Sequence, residues 1–194
     1  RTAIDHWKAQ SVDLSRLLYR PDIKNNIATF NSETQDHGLE SALDHKLIFK
    51  ATDAIHNRTP VVIYEQIKNI NRTVGAMLSG EVAKKYGMGG LPEDTIHIKF
   101  TGNAGQSFGA WLAHGVSLEL SGDANDYVGK GLSGGRIVIY PDKKSPIIPK
   151  ENIIAGNTLL YGAVLGEAYL SGVVGERFAV RNSGAIAVVE GCGD

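Results

Sequence analysis

The sequence predicts a mainly β protein, a parallel β-helix of short strands preceded by a helical lead-in. Three observations lead there. Of the 23 glycines, every one but Gly38 follows Val61. The apolar runs Ile96-His97-Ile98-Lys99-Phe100, Val116-Ser117-Leu118-Glu119-Leu120 and Arg136-Ile137-Val138-Ile139-Tyr140 begin 20 residues apart. Residues 96–115 also align without a gap on residues 116–135, matching Gly102 to Gly122, Asn103 to Asp123, Gly109 to Gly129 and Gly115 to Gly135. A fixed period of this size is the mark of a stacked array, in which no repeat buries its inner face alone.

The elements follow in order. Residues 1–60 read as a helical linker or cap. Residues 13–18 form a short amphipathic stretch ended near Pro21, and 24–34, rich in Asn, Ser and Thr, a loop. Further helical stretches cover 38–43 and 45–57, where Leu47, Ile48, Ala51, Ala54 and Ile55 have helical spacing. Apolar residues are too few for a separate core, so this segment is expected to pack on something else. Residues 61–194 read as the β-helix, short Val-, Ile-, Leu- and Tyr-rich strands separated by Gly, Asn, Asp and Ser, with later strands at 152–155, 168–170, 177–180 and 185–189. Residues 83–92 look like an inserted loop. Thr73-Val-Gly-Ala-Met-Leu78 echoes Ser107-Phe-Gly-Ala-Trp-Leu112 and Tyr161-Gly-Ala-Val-Leu165. The expected structural bends are Gly75, Gly102, Gly105, Gly109, Gly115, Gly122, Gly129, Gly131, Gly134 and Gly135, where glycine turns the chain without a side-chain clash. The rival architecture is a two-sheet sandwich, which the gapless repeat disfavours.

Composition narrows the function classes. With 20 basic and 21 acidic residues there is no electrostatic case for nucleic acid. No apolar run approaches the ~20 residues that cross a bilayer, and the polar start is not a signal peptide. Cys192 is the sole cysteine, which excludes an internal disulfide, an iron–sulfur cluster and a multi-Cys zinc site and fits a reducing cytoplasmic or plastid compartment.

The chemical candidates are weak. Gly129-Lys-Gly131-Leu-Ser-Gly134 matches the dinucleotide-binding pattern, but a strand and not a helix follows it, so no helix N-terminus is available for a pyrophosphate. His6, His37, His45, His56, His97 and His114 lack metal-ligand spacing. A bend histidine such as His114 could act as a general base, as in hexapeptide-repeat acyltransferases, but this period is far longer. Glu119, Asp123 and Asp126 share one repeat, as carboxylates do in carbohydrate-active β-helix enzymes. A stacked polar turn position explains Asp123 more simply, and Glu65 and Glu119 read as surface charges. No catalytic, cofactor-binding or metal residue is expected.

Longer runs carry a resemblance. Asn71-Arg-Thr-Val-Gly-Ala-Met-Leu-Ser-Gly-Glu-Val82, Gly105-Gln-Ser-Phe-Gly109, the glycine-rich run from Gly122 to Arg136 and Glu176-Arg-Phe-Ala-Val-Arg-Asn-Ser-Gly184 resemble the C-terminal glycine-repeat domain of the glutamate synthase large subunit. His6-Trp-Lys-Ala-Gln10 and Asp36-His-Gly-Leu39 resemble its entry segment, and Gly102, Gly105 and Gly109 stand as its G-xx-G-xxx-G pattern. The resemblance implies a single-stranded right-handed parallel β-helix without catalytic residues. It would space and orient the glutamine amidotransferase and FMN-containing synthase domains of a ferredoxin- or NAD(P)H-dependent oxidoreductase. FMN and an iron–sulfur cluster are expected elsewhere in that enzyme. The chain is expected to be a piece with its last coils cut short, and to self-associate through open coil ends. The alternatives are a free-standing subunit binding a separate oxidoreductase or amidotransferase, as in formylmethanofuran dehydrogenase, and a carbohydrate-active enzyme.

Overall fold

The computed structural model describes residues 5–24 and 27–193. The chain divides into two compact units, Arg1–His37 and Gly38–Asp194. In the first, a single turn of helix, α1 (Trp7–Gln10), is followed by irregular chain. The amphipathic helix expected over 13–18 does not form. Asp13 Oδ1 instead accepts from Ser15 N at 2.8 Å, a local turn that competes with helical hydrogen bonding.

The second unit is built on a sheet of seven strands: β1 (Val61–Ile67), β2 (Ile96–Ala104), β3 (Val116–Ala124), β4 (Ser133–Tyr140), β5 (Ile153–Ala155), β6 (Leu165–Val174) and β7 (Ile186–Cys192). Every pairing between these strands is parallel. The order runs β1-β2-β3-β4-β6, with β7 beyond β6. β4 and the short β5 share the space between β3 and β6: Leu118 faces Ile137 on β4, while Ala124 faces Ala155 on β5.

The expected single-stranded right-handed β-helix is overturned by this architecture, a parallel seven-stranded sheet with helices. Its premise, a constant period, holds for one pair of strands. Ile96 faces Val116 and Ala104 faces Ala124, as the gapless alignment requires. Ser117, not Val116, then faces Arg136, and Arg136 faces Glu167 across a register shift. The displacement by one residue has a physical cause. Strand side chains alternate between faces, so only this register puts Ile137 and Ile139 on the inner side with Leu118 and Leu120.

The alternation expected for the strands is present: Ile96, Ile98 and Phe100 are buried, while His97 and Lys99 stay half-exposed. The segments between strands contribute Phe108, Leu112, Val128, Leu132, Leu159 and Leu160 to the same core, and Phe108 meets Phe100 edge to face at 5.5 Å. Helices α2 (Leu43–Lys50), α3 (Thr52–Asn57) and α4 (Ala76–Tyr86) add Leu47, Ala54, Ile55, Leu78 and Val82, with Ala51 at the junction of α2 and α3.

α4 was not expected. Its last four residues fall in the stretch read from sequence as an inserted loop, and it follows the expected bend at Gly75. Thr73 and Gly75 do begin like a bend, with φ of 56° and 97°. From Ala76 the good helix formers Ala, Met, Leu, Glu and Lys take over, with Leu78 and Val82 one turn apart facing the core. Residues 177–180, expected as a strand, form a turn instead.

The turns themselves do not depend on glycine in the way a glycine repeat requires. Gly75, Gly102, Gly109, Gly115, Gly122, Gly129, Gly131 and Gly134 have positive φ, but Gly105 and Gly135 do not. A side chain at Gly135 would approach Leu112 Cγ within 2.5 Å, so space, and not φ, selects glycine there. Conversely, Ser107, Trp111, Tyr127, Thr158, Leu160, Arg177, Ala179 and Arg181 are left-handed without being glycine. The N–H groups of Ser107, Trp111, Tyr127, Thr158, Leu160 and Ala179 cross to neighbouring turns, as in Ser107 N to Asp126 O and Tyr127 N to Asn157 O. Interstrand hydrogen bonding holds a conformation that L residues otherwise avoid.

Candidate functional site

The outward face of the sheet carries the chemistry-bearing side chains, because the same alternation that buries Ile98 and Leu118 turns Lys99 and Glu119 outward. Lys99 on β2 stands opposite Glu119 on β3, and their charged ends are 3.2 Å apart. Glu119 also contacts His97 Nε2 at 2.9 Å and accepts from Tyr140 Oη at 2.7 Å. Burial pushes the Glu119 carboxyl up, but the bonds from Tyr140, Lys99 and His97 outweigh it and hold it below the ordinary glutamate range. The same bond pushes the Tyr140 hydroxyl up to about 12, so it remains a donor at neutral pH. Beside this cluster, Glu65 of β1 takes both Lys46 and Lys50 of α2, and its side chain is only 7% exposed. Burial again acts upward and the two ammonium groups overcome it.

A second cluster borders a cavity of about 220 Å³ whose lining includes Asp94, His114, Ser117, Arg136 and Glu167. Arg136 stands between Ser117 of β3 and Glu167 of β6. Its Nε donates to Glu167 at 2.8 Å and its Nη1 to Asp94 at 3.0 Å, while Ser117 Oγ donates to Asp94 at 2.6 Å. The Ser117 bond, aided by Arg136, holds the Asp94 carboxyl below its usual range. Contact with Glu167 pushes the Arg136 guanidinium up, so it keeps its charge. His114 Nδ1 lies 2.7 Å from the Leu91 carbonyl oxygen, which sets its tautomer and fastens the ring to the backbone.

The three acidic residues that share one repeat are held apart by different partners. Glu119 belongs to the cluster just described, Asp123 accepts from Asn103 Nδ2 at 2.7 Å, and Asp126 accepts from the backbone of Asn157 at 2.8 Å. Nor are Glu65 and Glu119 plain surface charges; each is the centre of a cross-strand or helix–strand ion cluster. Lys130, between two glycines, lies over the rings of Tyr127 at 5.5 Å and Trp111 at 5.7 Å. β4 begins at Ser133, within the G-x-G-x-x-G pattern, with no helix following. Cys192 is exposed at the end of β7. Among the described residues no group of three or more His, Cys, Asp or Glu is placed to hold a metal ion, and no helix is long and apolar enough to cross a membrane.

One polar residue escaped the sequence reading altogether. Asp44 on α2 is 3% exposed and accepts from Gly75 N, Met77 N and Leu78 N at 2.8–3.1 Å. It caps the start of α4 from a different helix. Burial pushes its carboxyl up, against those three bonds. No local signal could have found it, since a capping residue is sought beside its own helix.

These features describe a class of protein in which polar side chains tie strands and helices together. Residues 44–194 match the GXGXG motif family, and the chain belongs to that family. In particular, it is similar to glutamate synthases. It is 54% identical over 188 residues to the NADH glutamate synthase of Schizosaccharomyces pombe, covering 96% of this chain and 9% of that protein. It is 49% identical over 193 residues to the NADPH glutamate synthase large chain of Bacillus subtilis, covering 99% of this chain and 12% of that one. It is 45% identical over 196 residues to ferredoxin-dependent glutamate synthase 2 of Synechocystis, covering 100% and 12%. The chain thus spans about a tenth of the length of these relatives.

Proposed function

We propose that the chain is a non-catalytic structural domain of a glutamate synthase, spacing and orienting the glutamine amidotransferase and FMN-containing synthase domains. The observation that carries this reading is the spread of its relatives. About half of the residues are identical in proteins named for NADH, NADPH and ferredoxin. A segment common to three electron donors serves what those enzymes share, not delivery from one donor. The structure supports the reading chemically: Glu65, Asp94, Glu119, Arg136 and Glu167 pair with groups of this same chain. It supports it mechanically too, since each of β2, β3, β4 and β6 has a strand on either side. In this proposal residues 61–194 form the rigid spacer and 1–60 the linker and cap, while FMN and the iron–sulfur cluster belong elsewhere in the enzyme. The site of action is the cytoplasm or a plastid stroma; a relative from Oryza sativa is named chloroplastic.

The test uses the native protein from source cells. An antibody to this chain should detect a polypeptide far larger than 194 residues; a band of that small size would leave a free-standing subunit instead. In the large enzyme, Glu119→Gln with Arg136→Gln should leave glutamine hydrolysis and ammonia-dependent glutamate formation each within about twofold of the wild type. Coupling should suffer, with free ammonia released per glutamine consumed. Loss of ammonia-dependent synthesis in a folded variant would place these residues in the chemistry and overturn the reading.

A further inference from the structure

The described part of residues 5–37 has no core. Every residue in it is exposed except Ile23, which is half-buried. Yet it carries large apolar side chains of the kind proteins bury: Trp7 is 69% exposed, Leu17 83%, Leu18 75%, Tyr19 73% and Phe30 77%. Exposed apolar side chains at this density mark a contact surface, because a soluble chain otherwise loses the free energy of removing them from water. Charge does not explain the segment: in residues 5–22, Lys8, Arg16 and Arg20 balance Asp5, Asp13 and Asp22. What would cover it is therefore an apolar surface, not a charged one.

The comparisons indicate where that surface resides. The matches to the Bacillus subtilis and Synechocystis proteins take in 99% and 100% of this chain, so they include this segment, within polypeptides about eight times as long. We propose that residues 5–24 and 27–37 belong to a docking arm that lies along an apolar surface of another domain of the same polypeptide, ordered by that contact and not by its own packing. This rests on the reading above that the chain is part of a larger synthase.

Oxidative footprinting tests it by comparing the 194-residue chain, in dilute solution, with the native enzyme. Trp7, Tyr19 and Phe30 should be about fivefold or more less reactive in the native enzyme, because contact excludes solvent. Replacing Leu17 and Leu18 together with Asp should restore the reactivity of Tyr19 while thermal unfolding of the sheet stays unchanged. Equal reactivity in chain and enzyme overturns the proposal. So does protection that arises in the isolated chain as its concentration is raised, which would make a second copy the occupant. The two readings fail separately: a protected arm without ammonia leakage in the coupling experiment removes the spacer function alone, and a reactive arm with leakage removes the arm alone.

Discussion

β3 and β7 are both parallel strands with alternating side chains, yet they live in different environments. β3 has neighbours on either side, and five of its nine residues are buried, from Val116 to Ala124. β7 is paired on one side by β6, and none of its residues is buried; Ile186 and Val188 are 58% and 55% exposed. The turns differ in the same direction. Around β3 the middle left-handed stations are Gly109 and Gly129, flanked by Ser107, Trp111, Tyr127 and Gly131, whereas next to β7 the middle station is Ala179, flanked by Arg177 and Arg181. At Gly109 and Gly129 an added Cβ would meet the Ile137 or Leu160 side chain within 2.6 Å, so the core selects glycine at these two stations. At the edge, the backbone conformation persists but the space around it opens, and larger residues are accommodated at the cost of strain.

The comparison can be broken most severely at Gly122. Its φ is 151°, and an added Cβ would overlap the backbone carbonyl of Gly102 on β2. Gly122→Val should therefore destabilise by roughly 3–5 kcal/mol, since backbone cannot move aside as a side chain can. Thermal melting checks this; an unchanged midpoint would mean that β3 is no more confined than β7. Gly109→Val should cost less, about 1–3 kcal/mol, because its first obstacle is the end of the Ile137 side chain at 2.5 Å.

Asp44→Ala should cost about 2–3 kcal/mol by leaving three buried N–H groups unpaired, and hydrogen exchange should accelerate at Met77 and Leu78. Asp44→Asn, which keeps an acceptor oxygen, should be much milder. Buried Asp44 and half-buried Glu119 also have opposite pH signatures. Asp44 has a raised folded pKa, so its ionised form weakens the fold above that value and stability from this group increases as pH falls through it. Glu119 has a lowered one, so its contribution is present above the ordinary glutamate pKa and is lost as pH falls through the folded value. Glu119→Gln should remove about 1 kcal/mol near neutral pH together with that acid dependence. It should also return the Tyr140 pKa from about 12 toward 10, read by ultraviolet titration.

The smallest effect should come from the edge. Ala179 has a φ of 58° and is half-buried, so Ala179→Gly relieves a left-handed backbone and should stabilise by about 0.5 kcal/mol after the added freedom of the unfolded chain is counted. Leu160→Gly relieves the same strain at φ 56° but empties a buried position and should destabilise by about 2–3 kcal/mol. A stabilised Leu160→Gly would show that strain, and not packing, governs these turns.

Much of the sheet was legible because strand alternation is local. Ile96, Ile98 and Phe100 announce their own inner face, and the match of residues 96–104 to 116–124 announces their pairing. The wrong inferences came from extending that one pair into a law. Counting onward placed Arg136 one residue out of register and left α4 without a helix, because the echo of Ser107 to Leu112 in Thr73 to Leu78 gives way to helix after Gly75. The ion clusters were illegible for another reason. Glu65 with Lys46 and Lys50 joins a strand to a helix, and Arg136 joins Asp94 of the segment before β2 to Glu167 of the neighbouring strand, with no fixed spacing along the chain.

By itself the sequence determined the family, the strand-rich character beyond Val61 and the facing of most strand residues, all carried by runs of neighbouring residues. Only the tertiary structure decided the sheet order, the one-residue shift at β4, the left-handed turns made without glycine and the burial of Asp44. Each of these depends on which distant segments compete for the same hydrogen bonds and the same apolar space, a contest that no local pattern records.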